Sequence, residues 1–138
     1  MLSQNCNNVE GRTLMPITGD IDFKDFASTI GTVTAYAPGE MIFRMDDAPD
    51  FLYVVLRGSV EISVKNEVLE KVSAGMALGI LSLVDGKHRS ADARACEATQ
   101  LALIDQRKFR YMVEEMPNFC WYVMDKLAQG LRATNAAL

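Results

Sequence analysis

Residues 51–62 read Phe51-Leu52-Tyr53-Val54-Val55-Leu56-Arg57-Gly58-Ser59-Val60-Glu61-Ile62, and this stretch decides the fold. Its first half is a β-branched and aromatic run broken by Gly58. After the glycine, Val60, Ile62 and Val64 alternate with Ser59, Glu61 and Ser63. Period-two alternation marks a strand with one face buried, and glycine between two such runs marks a tight connection. Lys65-Asn66 then predicts a turn, and residues 68–72 a returning strand.

The same grammar extends in both directions. Upstream lie strand patterns at 32–36 and 41–43, separated by Pro38-Gly39 and followed by an acidic turn at 46–50. Downstream, Gly79-Ile80-Leu81-Ser82-Leu83-Val84 is too apolar for a surface loop and is flanked by Gly75 and Gly86, which predicts a short helix lodged within the sheet. Strand pattern resumes over 89–95 and again over 101–104. The whole is expected to be mainly β with flanking helices, an antiparallel β-roll of jelly-roll (double-stranded β-helix) type. Residues 1–20 have no period and are read as an arm, leaving 21–138 as the domain.

Helices are predicted on either side. Phe23, Phe26 and Ile30 follow Asp20 and Asp22 as candidate N-caps. Asp105 is a candidate N-cap for a helix with Phe109, Met112, Val113 and Met116 on its apolar face, ended by Pro117. A long helix is expected over 118–135. Phe119, Tyr122, Val123 and Leu127 share one of its faces, while Cys120, Trp121, Met124, Ala128 and Leu131 carry apolar character well beyond it. A helix this broadly apolar has two partners, so a homodimer through this helix is expected.

Composition excludes several functions. The chain has 138 residues, 49% of them hydrophobic and 23% charged, with a net charge of −4. A chain near ~140 residues buries roughly two thirds of its unfolded surface, enough for one core without metal or disulfide. The acidic pI of about 4.9 removes the electrostatic basis for direct nucleic-acid binding or for an anionic membrane surface. No apolar run approaches the ~18 residues that a transmembrane helix requires. Cys6, Cys96 and Cys120 fit neither a zinc motif nor a disulfide framework, which with the missing signal peptide predicts a cytoplasmic location. A single histidine, His88, argues against a metal site and against a metal-dependent cupin enzyme. Asp46, Asp47 and Asp50 lack the spacing of a calcium loop. No catalytic residues are expected, and the chain is read as non-enzymatic.

Arg89 is the most informative position. Period two puts it in phase with Ala91, Ala93 and Ala95, so it is expected to face the interior. Two readings are open: an arginine that pairs with a carboxylate or a bound anion, or one that snorkels to solvent from the strand end. Gly79 lies ten residues earlier and opens the short helix, so the backbone N–H groups of Leu81 and Ser82 would face the same space. The alternative is a glycine required only by a tight turn.

These residues carry a resemblance. Pro38-Gly39-Glu40, the run 51–62, Gly75, and the segment from Gly79 to Arg89-Ser90-Ala91 are similar to the cyclic nucleotide-binding domain family, over about residues 22–135. That family includes catabolite activator-like regulators and protein kinase A regulatory subunits. The resemblance implies a phosphate-binding cassette in which Arg89 pairs with the cyclic phosphate of cAMP or cGMP, Ser90 stands beside it and Gly79 opens the cassette. It also implies a C-terminal helical lid whose Thr134 and Asn135 reach the base. One departure is large: Ile80 stands where the family has a glutamate accepting the ribose hydroxyl. Losing that charge-assisted bond costs about 1.5–3 kcal/mol, which implies a weakened or altered ligand. His88 replaces a common proline and Met45 a common glycine. The resembling transcription factors continue into a helix-turn-helix, whereas this sequence ends at Leu138, which implies an isolated domain regulating a protein partner or part of a longer chain. The rival reading is a ligand-free protein-interaction module of the same fold.

Overall fold

The computed structural model describes the backbone of residues 23–137 and the side chains of residues 24–132. The expected arm at 1–20 and the caps Asp20 and Asp22 lie outside the described residues. The elements run α1 (Phe23–Ile30), β1 (Thr32–Tyr36), β2 (Met41–Phe43), β3 (Leu52–Arg57), β4 (Ser59–Val64), β5 (Glu67–Ser73), β6 (Ala77–Leu78), α2 (Ile80–Asp85), β7 (Asp92–Ala95), β8 (Thr99–Ile104), α3 (Gln106–Glu115) and α4 (Pro117–Ala137).

The strands form two four-stranded antiparallel sheets, one ordered β1-β8-β3-β6 and the other β2-β7-β4-β5. Between β3 and β4 the chain passes from the first sheet to the second through a single residue, Gly58. Its φ of +87° suits glycine, and a Cβ there would stand 2.4 Å from the Thr99 hydroxyl oxygen. Thr99 holds this corner by accepting from the Ser59 N–H at 3.3 Å and donating to the Glu97 carbonyl at 2.8 Å. The β4–β5 hairpin turns at Lys65 and Asn66, both at positive φ, the backbone of a type I′ turn.

The alternation in β3 explains the layering. Leu52 and Val54 join Ala102 and Ile104 of β8 in a core beneath the helices, with Phe119, Tyr122 and Met112. Tyr53 and Val55 point the other way, with Leu101, into a core between the sheets that includes Phe43, Val60, Val72 and Ala93. The centre of the first sheet, β3 with β8, is therefore buried on both faces, which is why β3 reads as a continuous apolar run.

The helices follow their sequence signals. The Asp105 carboxylate accepts from the Lys108 N–H at 2.9 Å and caps α3. Pro117 does more than end α3, because it occupies the first position of α4, where its missing N–H costs nothing. One strand prediction is corrected. The segment 89–95 does not pair throughout: the ladder begins at Asp92, and residues 86–91 form an irregular approach to it. Backbone bonds from Arg89 N–H to the Asp47 carbonyl and from Asp46 N–H to the Arg89 carbonyl hold that approach instead. The acidic turn thus positions Arg89 through main-chain bonds rather than through charge.

Candidate functional site

Arg89 is buried, at 3% exposure, with Ala91, Ala93 and Ala95 buried in the same phase. The inward orientation expected from periodicity holds, although Arg89 precedes the strand. Its Nη1 donates to the Gly79 carbonyl at 3.1 Å and its Nη2 to the Phe51 carbonyl. The guanidinium carbon lies 4.3 Å from the Phe43 ring centre and 5.7 Å from that of Tyr53, within reach of cation–π attraction. Among the described residues no carboxylate forms an ion pair with Arg89, and its buried Nε has no hydrogen-bond partner. Burial pulls the guanidinium below its ordinary pKa, opposed by Tyr53 and by Asp50 and Asp47. The Tyr53 phenol is raised by the same burial and lowered by Arg89.

Gly79 is the N-cap of α2 at φ 81°. A Cβ there would lie 2.7 Å from Arg89 Nη1 and 3.3 Å from the Phe51 carbonyl oxygen. Glycine is required twice over, by the left-handed backbone and by the approach of the guanidinium.

These groups border a cavity of about 750 Å³ roofed by α4. It brings together six of the expected site residues: Gly79, Ile80, Leu81, Ser82, Arg89 and Ser90. Ser90 is exposed, while Ser82 is buried and donates to the His88 carbonyl at 3.4 Å. Ile80 lies in the cavity wall and in the helix-side core at once, with 6% of its surface exposed. The side chains of Thr134 and Asn135 lie outside the described residues.

Sequence reasoning missed the other walls. Leu69, Glu70 and Val72 of β5 face Lys126, Leu127, Gly130 and Leu131 of α4 across the cavity. Lys126 Nζ and Glu70 Oε2 are 3.2 Å apart and join the two sides. Only the glycine inside an otherwise helical pattern, Gly130, was a usable signal. No cluster of metal-ligating side chains occurs among the described residues, and none of their helices is long and apolar enough to cross a membrane.

Known proteins share the family and the fold. A family model described as the cyclic nucleotide-binding domain matches residues 33–116, more than half of the chain. The chain is 27% identical over 106 residues to the cAMP-activated global transcriptional regulator CRP of Salmonella typhimurium, covering 72% of this chain and 50% of that one. It thus spans about half the length of the curated relatives it matches. The crystal structure of Thermus thermophilus catabolite activator protein superposes with a TM-score of 0.72 at 26% identity, covering 86% of this chain and 59% of that one. An EAL enzyme in its cAMP-bound form superposes with a TM-score of 0.58 at 26% identity, over 77% of this chain and 29% of that one.

Proposed function

The chain belongs to the cyclic nucleotide-binding domain family, and on that premise we propose that it is a non-enzymatic sensor module. Its ligand is a cyclic nucleotide, cAMP or cGMP, or a related phosphorylated small molecule. Arg89 and Ser90 hold the phosphate beside the Gly79–Ser82 backbone. The observation that carries the reading is the state of Arg89. A buried guanidinium that lines a large cavity, has no carboxylate partner among the described residues and leaves its buried Nε unpartnered is suited to an anion. Two of its five donors are spent on the Gly79 and Phe51 carbonyls, so the fork is fixed in place before a ligand arrives. Ile80 offers that ligand no acceptor, so affinity for ordinary cyclic nucleotides is weak or the ligand differs. Calorimetric titration of the protein with cAMP, cGMP and cyclic dinucleotides tests the proposal. Saturable heat that Arg89→Ala abolishes supports it, and silence from all of them at millimolar concentration refutes it.

A second reading, a ligand-free interaction module, is favoured by the exposed stripe on α4. Trp121, Met124, Ala128 and Leu131 are exposed at spacings of three and four, the seam of a two-helix contact. The sensor reading accommodates the same stripe as a homodimer contact that passes the ligand signal to a regulated protein. Sedimentation showing a dimer that Met124→Glu dissociates supports the α4 homodimer contact under either reading, whereas a monomer at tens of micromolar refutes that contact.

A further inference from the structure

The chemistry of the cavity wall narrows the ligand further than its phosphate. Of the lining residues only Glu70, Arg89 and Lys126 are charged and only Ser82 and Ser90 carry hydroxyls. Glu70 and Lys126 pair with each other between β5 and α4, the Ser82 hydroxyl donates to the His88 carbonyl, and the Gly79 carbonyl accepts from Arg89. Beside Ile80 and Leu81, polar recognition falls to Arg89, Ser90 and the backbone N–H groups that open α2, with the Glu70–Lys126 pair on the β5–α4 side. The rest is apolar, and unusually open. Leu69, Leu81 and Leu131 expose 62%, 57% and 63% of their surface, although β5, α2 and α4 bring them to one cavity. An open apolar wall beside a buried cation is complementary to a molecule with an anionic head and an apolar body.

Resting on the phosphate-site reading above, we propose that the ligand class is a phosphate ester whose body is apolar and poor in hydroxyls. A hydroxyl pressed against Ile80, Leu81 or Leu131 gives up water and finds no acceptor, so it weakens binding. An added methylene at the same place is buried and strengthens it, by up to about fourfold.

Calorimetry of the full chain with cAMP, 2′-deoxy-cAMP, propyl phosphate and hexyl phosphate tests this. The 2′-hydroxyl is the one free hydroxyl of a cyclic nucleotide's sugar, so the first pair isolates its effect. The deoxy compound is expected to bind about threefold tighter or more, and hexyl phosphate about tenfold tighter than propyl phosphate or more. Leu69→Ser, at an exposed position on β5 away from Arg89 and the Gly79–Ser82 backbone, is expected to shrink the hexyl advantage while leaving propyl phosphate affinity within about twofold. Tighter binding of cAMP than of its deoxy form, or equal affinity for the two alkyl phosphates, overturns the apolar-body inference and leaves the phosphate site standing. Silence from all four probes overturns the phosphate site and this inference with it.

Discussion

The Tyr122 hydroxyl accepts the Ala77 N–H at 2.8 Å, joining α4 to the strand that leads, two residues later, into Gly79. Through this bond the root of α4 and the entrance to α2 share one contact. Burial raises the Tyr122 phenol to about 12.

Tyr122→Phe is expected to destabilise the fold by about 1–3 kcal/mol, because the buried Ala77 N–H loses its acceptor. The substitution also changes the response to alkali. A buried phenol with a folded pKa above its unfolded value near 10 keeps its proton longer in the native state, so its stabilising effect is complete below pH 10 and is lost as the pH climbs towards 12. Denaturant unfolding from pH 8 to 11.5 is expected to show a shallower decline for Tyr122→Phe than for the wild type. The residual slope then belongs to Tyr36 and Tyr53, whose phenols are also raised by burial.

Gly79→Ala and Gly86→Ala form a matched pair. Both glycines have positive φ, at 81° and 74°, but only Gly79 faces the Arg89 guanidinium, while nothing lies within 4 Å of a Cβ at Gly86. Gly86→Ala is expected to cost about 1–2 kcal/mol for the left-handed backbone alone. Gly79→Ala should cost more and also weaken ligand binding by displacing Arg89, as thermal melts and titration of both proteins would show.

Arg89→Lys keeps the charge but loses the planar fork that spans the Phe51 and Gly79 carbonyls. A lower melting temperature and at least about tenfold weaker binding of any phosphorylated ligand are expected. Arg89→Ala should still unfold cooperatively, because the two sheets pack through Val55, Val60, Val72 and Leu101 without it.

Ile80→Glu places a carboxylate among the residues of the helix-side core. Its expected effect is a lower melting temperature and no gain in affinity for cAMP. A gain of about tenfold would instead mean that the new carboxylate reaches a ligand hydroxyl.

Gly130→Ala is expected to raise stability by about 0.5–1 kcal/mol, since glycine is costly inside a helix. A Cβ there meets nothing within 4 Å, so no clash offsets the gain. Melting temperature measured without ligand checks this.

The strands were legible because each carries its own evidence: alternation at Val60, Ile62 and Val64 needs no knowledge of what lies opposite. The inward orientation of Arg89 was legible for the same reason, since the phase of Ala91, Ala93 and Ala95 continues back to it even where the ladder does not. What Arg89 meets was not legible. The Phe51 carbonyl is 38 residues away in sequence, and the Glu70–Lys126 pair spans 56. Such pairings are set by how two sheets and a helix close on one another, and no local period encodes them. Ile80 shows the same limit: its sequence position marks a missing acceptor, whereas its share in the helix-side core emerges only from packing.

The helix α4 is a cantilever. Phe119, Tyr122 and Val123 clamp it by burial near one end, and from Ala128 to Arg132 every residue is exposed. At 1.5 Å per residue, the ten residues from Ala128 to Ala137 project about 15 Å beyond the clamp, so a tilt of about 10° at the root displaces the free end by roughly 3 Å. Along the way Leu127 packs on the helix-side core and Lys126 pairs with Glu70, a partly exposed contact too weak to stiffen the helix. A ligand wedged beneath the beam at Leu127 and Leu131 would therefore set the direction in which its far end points, with a motion there larger than the one that caused it.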